Sequence, residues 1–271
     1  DEFIEMLTRF KNEIPECTAP YTAPGLKSTQ ALPEFYQGAT ADYVKVDGKW
    51  VDGMAQDNML TALQNLQDAY TAGLIDQEAI TNTTSACRDE WYAGTVGCFS
   101  YWGGLWGETL TVRLKQNVPD AEVIALPPIE GATYLYSAPS VQVISSKLSD
   151  EQVASVYKYF IEYMHDGGEG QVLFQSGVEG VHWQQSGNNI DPLPTISKPA
   201  EAFRKAWITP WLALTPMTAT DKNVEVSQEA TDSLAVVSAN AKNISVFPVS
   251  EQRTMITSDL TTTRENIISR V

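Results

Sequence analysis

The sequence predicts an α/β fold on three observations. Short apolar or β-branched runs alternate with amphipathic helical stretches, the pattern of a mixed or parallel sheet covered by helices. The 271 residues are 43% hydrophobic and only 19% charged, enough apolar material for a sizeable core. No internal repeat or low-complexity tract points to a solenoid. The length favours two coupled lobes over one large domain.

The chain opens inside a helix: Phe3, Ile4, Leu7 and Phe10 fall at three- and four-residue spacing, with Glu2, Glu5 and Arg9 facing away. So abrupt a start leads us to expect a piece of a longer protein, with any signal upstream. Residues Thr18 to Ala41, rich in Pro, Gly, Thr and Ser, are expected to be irregular with short helical pieces. Tyr43–Val46 and Lys49–Val51 flank Asp47-Gly48 as a small hairpin. Met59, Leu60, Leu63, Leu66 and Tyr70 make a helix that Gly73 caps.

Asp89–Ala93 should be a helical turn, followed by a buried strand over Thr95–Phe99. Further strands are expected at Ala121–Leu126 and Val141–Ser145. Ser149 and Gln152 form a capping box for a helix with a wide apolar face of Val153, Val156, Tyr157, Phe160, Ile161 and Met164, ending near Asp166-Gly167-Gly168. Ala202, Phe203, Ala206 and Trp207 are helically spaced, as are Met255, Ile256, Leu260 and Ile267.

Charge and motif content narrow the function. Lys plus Arg number 18 against 34 Asp plus Glu, a net charge of -16, which repels phosphate backbones and argues against nucleic acid as a partner. No run approaches the roughly 20 apolar residues of a membrane span. Cys17, Cys87 and Cys98 lack zinc-site spacing; one bridge plus one thiol, and three buried thiols, both fit. Only two histidines exist, His165 at a helix end and His182, and no Gly-x-Ser-x-Gly elbow or phosphate-binding glycine loop occurs. No cofactor or metal is expected. Asp89, Glu90, Glu108 and Glu179 keep a two-carboxylate glycosidase as an alternative. A peptide or surface-interaction receptor using the same aromatic cleft is another.

The most informative stretch is Trp91 to Trp106, where a buried strand runs into a glycine-softened aromatic turn. Pyranose rings pack their C–H faces on Trp and Tyr rings while fixed polar groups meet the hydroxyls. Tyr101, Trp102 and Trp106 supply such faces; core packing is the competing role, most strongly for Trp91 and Trp106. Tyr134 and Tyr136 project to one side of an extended segment and fit a cleft wall or a core. Gly177-Val178-Glu179-Gly180-Val181-His182-Trp183 offers either a ligand contact or a tight turn with buried filler.

These segments resemble an extracellular solute-binding protein of family 1, the bilobal receptors of ABC sugar importers. Asp1–Leu7 resembles a helix near the start of the second lobe. Asp52-Gly53-Met54 with Ala62 to Asp76 resembles the family's long helix and its Gly-Leu-Ile-Asp ending. Gly94–Trp106 resembles the strand and aromatic turn, and Gly177–Trp183 the Gly-x-Glu-Gly-x-His-Trp signature of the lipoprotein branch. The resemblance implies a periplasmic-binding-protein type II (maltose-binding-protein-like) fold whose lobes close on an oligosaccharide without chemistry. It implies residues 1–130 and 177–271 in the second lobe and 131–176 returning to the first, whose opening strands, signal peptide and lipobox cysteine are not in this sequence. It implies a monomer, lipid-anchored outside the cell membrane and delivering sugar to a permease. The expected ligand contacts are Trp102, Tyr101, Trp106, Tyr136, Glu179, Trp183 and Asp89, with Trp102 at the family's stacking tryptophan.

Overall fold

The computed structural model describes residues 2–26, 31–134, 143–193, 217–223, 226–242, 250–268 and 270. It confirms the α/β class and divides into two compact units, one of residues 1–103, 107–137 and 232–271, the other of 104–106 and 138–231.

In the first unit, α1 (Glu2–Glu13) buries Leu7 and leads to strand β1 (Ala19–Tyr21). β1 pairs in parallel with β4 (Val96–Cys98), Ala19 facing Val96 and Tyr21 facing Cys98. On its other side Tyr21 N–H donates to Leu74 O at 3.1 Å, and Asp76 N–H donates to Tyr21 O at 2.8 Å. β1 is therefore central, inside a stretch that composition reads as irregular. Three residues with Pro20 in the middle carry no readable period, and proline argues against a central strand. Only the long-range pairing reveals it.

Helix α2 (Pro33–Tyr36) starts with proline, which lacks an N–H the first turn would leave orphaned anyway, and it buries Phe35 and Tyr36. The hairpin of β2 (Tyr43–Val46) and β3 (Lys49–Asp52) forms as expected around Asp47 and Gly48, both at positive φ. After a 3₁₀ turn comes α3 (Asp57–Thr71), burying Met59, Ala62, Leu63, Leu66 and Ala69. It ends as a Schellman motif, with Leu74 N–H donating to Ala69 O and Gly73 N–H to Tyr70 O, and Lys11 Nζ capping Ala72 O at 2.6 Å. Phe3, Tyr21 and Phe35 meet edge to face, with centroids 5.3 to 6.1 Å apart, at the middle of this core.

Helix α4 (Thr84–Ala93) is longer than the expected turn because Thr83 Oγ1 caps it, accepting from Ala86 N–H. After β4 comes α5 (Leu105–Asn117). The run 121–126 is not a strand: its backbone is irregular, Ile124 is exposed, and it has no ladder partner among the described residues. Alternating apolar residues stay single without an edge to pair with. The strand expected at 141–145 fares likewise over 143–145, with Val143 exposed, while 141 and 142 lie outside the described residues.

In the second unit the Ser149 and Gln152 capping box is present and opens α6 (Asp150–Val156). The helix continues as a wider π-helical turn, Tyr157–Glu162. Its expected apolar face is used only in part: Met164 is buried and Phe160 packs edge-on against Phe174, but Tyr157 is exposed. A π turn rotates following side chains away from the 3.6-residue stripe. Then come α7 (Glu169–Ser176) and the hairpin of β5 (Trp183–Ser186) and β6 (Asn189–Pro192). The helix expected around Ala202 to Trp207 lies outside the described residues.

Two C-terminal helices follow, α8 (Gln228–Asn240), which has no clear stripe in the sequence, and α9 (Glu251–Ile268). The apolar residues of α9 do not dock as a row, for Met255 and Ile256 are exposed. The helix is held instead by Ile268 in the core and by Arg264, whose guanidinium donates to Asp52 Oδ1 at 2.8 Å and stacks over Tyr43 at 5.3 Å.

Asp166 closes the start of α7. Burial opposes its ionisation, but N–H groups of Gly168, Gly170 and Gln171 all donate to it and hold its carboxyl below the ordinary 3.8. A depressed folded pKa contributes stability above the unfolded value that is lost as pH falls through the folded one. Asp166→Ala should cost on the order of 1 kcal/mol near neutrality. That cost should shrink in urea titrations taken below pH 4, where the parent's carboxylate is also neutralised.

Candidate functional site

The turn leaving β4 is built by close packing beneath it. A Cβ on Gly97 would lie 2.8 Å from both the Phe10 ring and Pro20 O, so only glycine lets α1 press onto the strand here. Beyond β4 the rings of Trp91, Phe99 and Tyr101 form a tilted row with centroids 5.2 and 5.3 Å apart. Trp91 donates its indole N–H to Leu110 O at 3.2 Å and acts as scaffold. Tyr101 is half-buried on this row; burial raises its hydroxyl pKa against the pull of Arg88. Trp102 is 56% exposed. Gly103 behind it sits against α8, where a Cβ would come within 2.8 Å of Val237 Cγ2.

One residue at this turn carries no sequence motif. Glu34, on α2, accepts from Tyr21 Oη at 2.8 Å, Ser100 Oγ at 2.8 Å and Tyr134 Oη at 3.0 Å. Its partners lie up to 100 positions away in sequence, so no local signal exposes it. Tyr134 is thereby placed beside the β4 turn, its hydroxyl pKa raised by burial and then by the Glu34 charge. Tyr136 lies outside the described residues.

Two of the carboxylates that a glycosidase reading would need lie on α4. Asp89 is exposed on α4, while Glu90 turns inward to a knot with Asp76. Thr22 Oγ1 lies 3.1 Å from Asp76 Oδ2 and 2.8 Å from Glu90 Oε2, and Asn82 Nδ2 bridges the same two groups at 2.5 and 3.2 Å. Burial raises the Glu90 pKa, Thr22 opposes it, and the charge of Asp76 adds to it. Glu108 is half-buried on α5. Cys17, Cys87 and Cys98 are all free thiols, each raised in pKa first by burial, so the expected alternative of one bridge does not hold. Among the described residues no group of His, Cys, Asp or Glu could hold a metal ion, and no helix is long and apolar enough to cross a membrane.

Trp106, on α5, is half-buried. In the second unit, Glu179 is exposed, but Trp183 is only 3% exposed, packed on Val172 and Ile190 with its indole N–H donating to Gly177 O at 2.9 Å. Its ring is spent on packing and offers no open face. His182 Nδ1 accepts from Val178 N–H at 2.9 Å. Gly177 lies at φ 84, where a Cβ would press to 2.6 Å from that imidazole. The Gly177–Trp183 segment is thus a self-bonded turn, the second of its two sequence readings.

Two substitutions check this account. Gly97→Ala should lower unfolding free energy by about 1–3 kcal/mol in chemical denaturation, because neither Pro20 backbone nor Phe10 can yield freely. Glu90 has a raised folded pKa, so it favours the fold below the ordinary 4.5 and loses that contribution as pH rises through the folded value. The stability of Glu90→Gln relative to the parent should therefore climb between pH 4.5 and 7; a flat difference would contradict the knot.

No family model matches the chain, and no curated protein matches it. Among solved structures, the chain is similar to the alginate-binding protein AlgQ2 solved without calcium ion, at TM-score 0.61 and 15% identity, covering 99% of this chain and 60% of that one. It is similar also to an HMO-binding, ABC-transporter-associated solute-binding protein from Bifidobacterium longum infantis, at TM-score 0.60 and 15% identity, covering 100% and 61%. The chain spans about three fifths of the length of each. Over that span it shares the fold of these two binding proteins.

Proposed function

We propose that this chain belongs to an extracytoplasmic solute-binding component of an ABC importer that captures a carbohydrate and hands it to a membrane permease. The observation that carries the reading is Trp102: a large aromatic ring held out to solvent at the C-terminal end of a parallel strand, the edge where open α/β sheets receive ligands. The two structural neighbours, named for alginate and HMO binding, support a sugar as the ligand class. A net charge of -16 works against a polyanion such as alginate and favours a neutral oligosaccharide.

In this reading Trp102 stacks on a pyranose face, Tyr101 and Trp106 extend the aromatic surface, and Asp89 and Glu179 accept from sugar hydroxyls. Tyr136 is a further contact. Trp183 supports the turn that carries Glu179. Residues 1–130 and 177–271 contribute mainly one lobe and 131–176 cross toward the other. The protein acts as a lipid-anchored monomer on the outer face of the cell membrane and performs no chemistry on its ligand.

Calorimetric titration with a panel of neutral and uronate oligosaccharides tests the assignment. Trp102→Ala should lose at least tenfold in affinity, about 1.4 kcal/mol. An unchanged titration, or release of reducing ends from the bound sugar, would sink it.

A further inference from the structure

We infer that Glu34 is a positioning residue that sets the orientation of Trp102, an inference that rests on the sugar-binding reading of this turn. Its carboxylate gathers three hydroxyl donors from segments that no local interaction joins: Tyr21 on β1, Ser100 in the turn, and Tyr134 beyond α5. Charge-assisted hydrogen bonds of this kind are roughly twice as strong as neutral ones.

Ser100 is held twice. Its hydroxyl donates to Glu34 Oε1 at 2.8 Å, and its N–H donates to Tyr21 Oη at 3.1 Å. Trp102 lies two residues further on, so the direction in which the chain leaves Ser100 directs the indole. On the other side Gly103 packs against α8, where a Cβ would come within 2.8 Å of Val237 Cγ2, so the turn is held at both ends. Glu34 thus holds the Ser100 side of the turn that carries Trp102.

The base on which Glu34 stands is rigid. Its neighbours Phe35 and Tyr36 are buried, Phe35 wedged edge-on between Phe3 and Tyr21, and Tyr36 Oη donates to Leu26 O at 2.7 Å. Tyr134 adds a second tie, since its oxygen accepts from Ile129 N–H at 3.2 Å while its proton goes to Glu34. Tyr21 stays a donor because burial, and after it the Glu34 charge, raises its pKa well above the ordinary tyrosine value. A ligand that finds the indole already oriented does not bear the cost of ordering the turn.

The test uses protein carrying 5-fluorotryptophan at its seven tryptophans, the Trp102 resonance being assigned by its loss in Trp102→Phe. Ser100→Ala removes one hydroxyl without changing charge, and Glu34→Gln removes the charge at nearly constant shape. In ligand-free protein both should shift or broaden the Trp102 fluorine resonance while leaving those of Trp50 and Trp183 in place. Affinity for the best neutral oligosaccharide of the panel should fall roughly three- to tenfold. Where Glu34→Gln does not fold, Ser100→Ala decides alone. An unaltered Trp102 resonance in the folded variants overturns the positioning role, even if the parent binds sugar. A displaced resonance in a protein that binds no sugar at all upholds the positioning role and removes the function it was placed in.

Discussion

Tyr21 ties together strands, core and surface turn of the first unit. Its backbone is hydrogen-bonded to the Leu74–Asp76 segment on one flank and stands in register with Cys98 on the other. Its ring completes the edge-to-face set with Phe3 and Phe35, and its hydroxyl lies 2.8 Å from both Glu34 and Ala31 O. A fully buried tyrosine must satisfy its oxygen, and here the satisfaction is routed to the end of the neighbouring strand. Core packing and the shape of the surface turn are therefore two aspects of one side chain.

The described residues of the second unit are organised on a smaller scale. Its core among the described residues is Val172, Trp183 and Ile190 with Met217 packed against it, so polar backbone closure takes on much of the ordering. Asp166 collects three N–H groups at one end of α7, and His182 and Trp183 bond the Gly177–Trp183 turn at the other. Small apolar cores leave local hydrogen bonds a larger share in fixing conformation.

What the sequence disclosed follows from the range of each interaction. The α3 stripe, the Asp47-Gly48 hairpin and the Ser149 capping box rest on neighbours within a few residues and are legible, except that Leu60, expected on the stripe, points to solvent. The β4 strand and its exposed tryptophan were legible too, since a β-branched run followed by glycine and aromatics is a local pattern. β1 was not, because Pro20 hides a strand defined only by partners some 54 and 77 positions downstream. Glu34 was equally silent: a lone carboxylate in a short helix looks like solvated surface until its three hydroxyl donors converge. Trp183 is the opposite case, its signature motif being plain while its burial depends on α7 and β6.

The contact between Gly97 and Phe10 extends past the strand it serves. The two positions share one fixed volume, since the ring occupies the space a side chain on the strand would need. Because the Pro20 carbonyl oxygen bounds that volume as well, loss of the ring alone would not admit a larger residue at 97, so the strand should keep its glycine even where position 10 varies. The spacing of the first helix from the sheet is then set at the glycine rather than at the ring.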